Sequence, residues 1–112
     1  MTALKDPVER FLHFLSYEKR YSAHTVTAYS SDIEQFVMVL KKEHDGLAIV
    51  ECNYQVIRSF IAGLVESGLD ARSVNRKITA LRTLYNFLLK EGEIRTNPVS
   101  RIASLKVSRK LP

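Results

Sequence analysis

The stretch Asp70-Ala71-Arg72-Ser73-Val74-Asn75-Arg76-Lys77-Ile78-Thr79-Ala80-Leu81-Arg82-Thr83-Leu84-Tyr85-Asn86-Phe87-Leu88-Leu89-Lys90-Glu91-Gly92 decides the fold class. Val74, Ile78, Leu81, Tyr85 and Leu88 recur at steps of four, three, four and three, the spacing of one buried stripe on an α-helix. Asp70 is a good N-cap and Gly92 a good terminator, so the pattern predicts a helix from Asp70 to Glu91 that stops at Gly92. At about 100° per residue, Arg72, Asn75, Arg76, Thr79, Arg82, Thr83, Asn86 and Lys90 share an arc of about 120° opposite that stripe. Lys77 falls off the arc beside the apolar flank, where its stem is expected to pack while the ammonium reaches out. Between Arg72 and Lys90 there are five basic residues and no acidic one, so the helix forgoes the Glu–Lys pairs that ordinarily support a solvated helix. Basic groups interleaved with Asn and Thr suit phosphates and base edges.

Working outward, three more helices follow from caps and periodicity. Asp6-Pro7-Val8-Glu9 is a start signal: Asp6 as cap, Pro7 at the first helical position and Glu9 completing a capping box. Val8, Phe11, Leu12 and Leu15 then predict a first helix to about Tyr17–Lys19. Ser22 caps a second helix towards His44, with Val26, Tyr29, Ile33, Phe36, Val37 and Leu40 facing inward and Asp45-Gly46 ending it. Residues 47–52 read as a connecting loop. Asn53 caps a third helix whose inner face is Val56, Ile57, Phe60, Ile61, Leu64 and Val65, terminated at Gly68. Thr96-Asn97-Pro98 follows the fourth helix, then a short helical turn at Val99–Ala103 and a basic tail. No period-two alternation appears, so the expectation is an all-α, compact four-helix bundle around one core, with Phe11, Tyr29, Phe36, Phe60 and Tyr85 in it.

Composition bounds the function. The chain has 112 residues, 46% apolar and 26% charged, which fits a single folded domain with no apolar run long enough to span a membrane. Its one cysteine, Cys52, rules out an internal disulfide and fits a reducing, cytoplasmic setting. The net charge of +5 is unevenly spread: residues 1–71 hold 7 basic and 10 acidic side chains, residues 72–112 hold 10 basic and 2 acidic. A final third at +8 suggests a polyanionic partner, with a merely solvated basic surface as the alternative.

The residues for catalysis are not apparent. His13, His24 and His44 have no carboxylate or thiol at ligand spacing, so neither a metal nor a cofactor is expected. The four glycines form no phosphate loop, Cys52 has no basic neighbour to activate it, and Asp32 and Glu34 point in different directions on one helix. Ser22-Ala23-His24-Thr25-Val26-Thr27 echoes Asp70-Ala71-Arg72-Ser73-Val74-Asn75 in character at each position. Two phosphate-clamping helix N-termini would give that echo, and so would shared capping preferences.

Two blocks carry a family resemblance. Phe11-Leu12-x-Phe14-Leu15 with Tyr21-Ser22-x-x-Thr25-x-x-x-Tyr29-x-x-Asp32-Ile33-x-x-Phe36 is similar to the opening of the N-terminal core-binding domain of the tyrosine recombinase (phage integrase) family. Ser73 to Leu88 resembles its fourth helix, and Asn97-Pro98 with Leu111-Pro112 the join to its catalytic domain; the likeness runs from about residue 5 to the end and looks most like the Xer-type recombinases and related mobile-element integrases. The resemblance implies a SAM-like domain at 1–105, with 106–112 beginning a linker to a catalytic domain that this chain lacks. It implies double-stranded DNA as partner, gripped through helices 2 and 4 as half of a clamp, and other recombinase protomers in a tetramer on DNA. Carried over by position, Ser22, His24 and Thr25 start one DNA-facing helix. Arg72, Ser73, Asn75, Arg76, Lys77, Thr79 and Arg82 lie on the other, with Arg76 and Lys77 foremost and replaceable by Ala at little expense in stability. Lys106, Arg109 and Lys110 would belong to the linker. The family's catalytic Arg, Lys, His-x-x-Arg and Tyr lie in the domain beyond, so no tyrosine here inherits the nucleophile's role and the fragment is expected to lack catalysis. Two other classes stay open: a helical protein–protein interaction module and a stand-alone DNA-binding regulator of helix-turn-helix type.

Overall fold

The computed structural model describes residues 6–107, in which the helices are α1 (Pro7–Tyr17), α2 (Ala23–Glu43), α3 (Tyr54–Glu66) and α4 (Ala71–Lys90). Arg109 and Lys110 lie outside the described residues. Among the described residues there is no strand, and the all-α fold is that of the sequence pattern. Residues 47–52 contain a single 3₁₀ turn, Ile49–Glu51.

Each α-helix opens on a side-chain cap. Asp6 accepts the Val8 amide at 2.9 Å, Ser22 the Thr25 amide at 3.2 Å, Asn53 the Val56 amide at 3.1 Å and Asp70 the Ser73 amide at 3.3 Å. Each bond satisfies one of the donors that a helix start leaves without an internal partner. At the far end of α3, Gly68 takes φ +89° and the Leu69 amide returns to the Leu64 carbonyl, so four residues suffice to join α3 to α4. The reversal after α1 is made without glycine. Arg20 itself adopts φ +55°, and the Tyr21 amide closes on the Leu15 carbonyl at 2.9 Å.

Helix α4 is the central element. It packs against α1, α2 and α3, and it buries Val74, Lys77, Ile78, Ala80, Leu81, Leu84, Tyr85, Phe87 and Leu88, a half-cylinder rather than the narrow stripe of the sequence pattern. Phe11, Leu15, Ile33, Phe36, Ile57, Phe60 and Leu64 meet it from the other helices. Tyr29 is only half-buried, edge-on to Phe11 with ring centroids 5.9 Å apart, and Val65, assigned inward by periodicity, is exposed.

The segment after α4 has no regular structure beyond turns, yet it is fixed along α4 like a strap. Val99 is fully buried in the core. The Asn97 side chain donates to the Arg82 carbonyl and Asn86 Oδ1 and accepts the Val99 amide at 2.8 Å. Arg82 donates to the Ile102 carbonyl at 2.8 Å, and the Arg101 guanidinium lies 5.0 Å from the centre of the Tyr54 ring. Finally, Asn75 clasps Leu105 through both backbone groups, donating to its carbonyl at 2.9 Å and accepting its amide at 2.7 Å.

Candidate nucleic-acid interface

The strap changes what the polar arc of α4 offers. Asn75 and Arg82 are spent on Leu105 and Ile102, and Asn86 on Asn97. These side chains were expected to face outward to a ligand; they face the chain's own C-terminal segment, because an arc calculated from one helix takes no account of a non-local partner. Ser73 is likewise engaged, its hydroxyl 2.7 Å from Asp70. On the arc, Arg72, Arg76 and Thr79 in the N-terminal turns remain exposed and free of the strap, as does Lys90 at the far end.

Those turns face α2 across an open groove of about 360 Å³ lined by His24, Thr25, Ala28 and Tyr29 from α2 and by Arg76, Thr79 and Ala80 from α4, with Asp32 at its base. The groove exists because small residues sit where the two helices would otherwise close: Ala28 on one wall, Ala80 on the other. Its rim is aromatic, with Tyr21 stacked on Tyr29 at 6.1 Å between centroids. The structure thus gathers His24, Thr25, Arg76 and Thr79 into one site, while Ser22, the α2 cap, and Arg72 are not part of its lining.

Lys77 is placed differently from the sequence expectation. Its ammonium does not reach solvent: only 10% of the side chain is exposed, and Nζ donates to Asp32 Oδ1 at 2.7 Å. Arg76 meets the same carboxylate from above, Nε to Oδ2 at 3.2 Å and Nη2 to Oδ1 at 3.1 Å, with 59% of its side chain exposed. The expectation that Arg76 and Lys77 are jointly dispensable for stability therefore fails, because removing both strands a buried carboxylate. Asp32 was missed by weighing it only against Glu34. The signal was present: Asp32 stands among Tyr29, Ile33 and Phe36 on the inner face of α2, where a charge demands a buried partner.

The two helix N-termini are also unlike. The α2 start is capped by a neutral hydroxyl, with Thr25 Oγ1 3.0 Å from Ser22 Oγ, and keeps the positive end of its dipole open to an anion. The α4 start already holds an anion. The Asp70 carboxyl is held below its ordinary value by hydrogen bonds from the Ser73 hydroxyl and amide, so α4 presents a carboxylate where a phosphate clamp needs bare N–H groups. The histidines stay apart: His13 against Tyr17, His44 capping α2, His24 in the groove. Burial pushes the Cys52 thiol up and away from thiolate, with Sγ directed at the Ala48 carbonyl. No described helix is long and apolar enough to cross a membrane.

Comparison with known proteins agrees with this architecture. Residues 8–92 match the family model described as phage integrase, N-terminal SAM-like domain. The chain is 34% identical to the tyrosine recombinase XerC of Bacillus pumilus and 37% identical to that of Oceanobacillus iheyensis, in both cases over 100% of its own length and 36% of the relative's. It is 35% identical to the tyrosine recombinase XerC of Leptospira interrogans over 98% of this chain and 35% of that protein. The chain thus spans about a third of the length of these curated relatives. No solved structure matches it. Four capped helices around a central α4, and a family match running from α1 through the end of α4, make this chain a member of the phage integrase N-terminal SAM-like domain family.

Proposed function

We infer that the chain is the DNA-binding part of a site-specific tyrosine recombinase, and that it holds duplex DNA across the α2–α4 groove. The observation that carries this reading is the convergence of His24, Thr25, Arg76 and Thr79 on one open groove, beside an uncharged helix N-terminus. Arg76 supplies the phosphate contact, Arg72 reinforces it one turn earlier, and Ser22 and Thr25 bring the N–H groups of the α2 start to a second phosphate. Ser73, Asn75, Lys77 and Arg82 act behind this surface by holding the caps, the strap and the ion pair. Strand exchange belongs to the remainder of the parent protein, in a tetramer of protomers on DNA within the cytoplasm; this part contributes grip without chemistry. The boundary with the linker falls at Leu105, the last residue clasped by α4.

A free-standing regulator is the weaker reading. A recognition helix needs its outer face clear to enter a major groove, and the strap is hydrogen-bonded to Asn75, Arg82 and Asn86 on that face.

Fluorescence anisotropy with labelled duplex DNA tests the proposal. Binding should weaken steeply as salt rises, and Arg76→Ala should flatten the slope of log K against log[salt] by about 0.9, the contribution of one phosphate. Salt-insensitive binding, or an unchanged slope, would reject this face.

A further inference from the structure

One carboxylate at the base of the groove is shared by two cations, and the sharing is unequal. Lys77 is buried with Asp32, and the two charges cancel. Arg76 is the surplus charge, and it is the one exposed to solvent. Its guanidinium meets Asp32 along one edge, through Nε and Nη2, which fixes the plane of the group; the donors of the opposite edge are left to face outward. A guanidinium so held approaches a phosphate with its orientation already set, and a lysine in the same place has no fork to align.

We propose that Asp32 is a positioning residue of the interface: from inside α2 it orients Arg76 on α4 for a phosphate oxygen, while Lys77 holds the carboxylate in place. This rests on the DNA-binding reading above. It runs against simple electrostatics, because a carboxylate beside a polyanion should by itself weaken binding. The two accounts therefore predict opposite signs.

The test uses the 112-residue chain, labelled duplex DNA and six variants, each checked by thermal melting. Asp32→Leu combined with Lys77→Met removes the buried pair without changing net charge, and such apolar replacements are often tolerated. Positioning predicts that this double variant binds about tenfold more weakly, the loss of one charge-assisted hydrogen bond. Adding Arg76→Ala to it should then change little, and Arg76→Lys should lose most of its affinity in the wild-type background but almost nothing in the double variant. A double variant that folds and binds like the wild type overturns the proposal. Should that variant not fold, Asp32→Asn decides alone: weaker binding despite the loss of a negative charge supports positioning, and tighter binding refutes it. If Arg76→Ala itself leaves affinity untouched, the groove is not the DNA-binding face and both readings fall; if Arg76→Ala weakens binding while Asp32 variants do not, only the positioning role falls.

Discussion

Lys77 delivers its ammonium to Asp32 from between the helices, whereas Arg76 reaches the same carboxylate from the solvent side. The difference in burial separates their energetics. Lys77→Ala should lower stability by about 3 kcal/mol, the lower end of what breaking a buried pair costs, since Arg76 still bonds the carboxylate. Arg76→Ala should lower it by no more than about 1 kcal/mol, as for other exposed ion pairs. Urea denaturation of the two variants measures both, and equal losses would mean that Lys77 is not the principal counter-charge. The helix arithmetic located Lys77 on the apolar flank of α4 correctly but sent its charge outward. A single-helix projection shows which way a side chain leaves, and only the facing helix shows what it meets.

At the scale of the element, α2 and α4 begin with matching patterns, and both caps form as their sequences indicate. Capping is local, so Ser22, Asn53 and Asp70 could be read from the chain alone, as could the glycine stop after α3. What the patterns share in shape they do not share in charge. The folded-state Asp70 carboxyl lies below its ordinary value of 3.8, so the stability it contributes is complete above that pH and is lost as pH falls through the lower folded value. Asp70→Ser, which keeps a cap of similar quality, should make thermal stability less sensitive to acid below about pH 4 while leaving it close to wild type at pH 7. Melting curves from neutral pH to pH 3 check this; an unchanged acid dependence would show that other carboxylates dominate.

In the whole molecule, α4 is the axle, enclosed by three helices on one half of its circumference and by the strap on part of the other. The four helices and most of the core were legible because they follow from spacing within each segment. The strap was not. Asn97, Ile102 and Leu105 reach α4 across intervals of up to 30 residues, and no local pattern announces that Asn75 will bond a backbone so far along the chain. The same blindness made the polar arc look like one continuous binding surface. Asn97→Ala removes the acceptor of the buried Val99 amide together with two donated bonds. It should destabilise the fold by about 1–3 kcal/mol, the penalty for a buried polar group left unsatisfied. DNA affinity at a temperature where the variant is folded should stay near wild type; a large loss of affinity would implicate the strap in binding.

The clasp of Asn75 on Leu105 has a kinetic corollary. Both backbone groups of Leu105 are tied to a side chain rooted in the central helix, although residues 102–107 form no regular structure. Its amide proton can reach solvent only when the strap lifts or α4 opens, so exchange at Leu105 times a motion that leaves every helix intact separately from one that does not. A segment that looks like coil thereby becomes a stopwatch for the core beneath it.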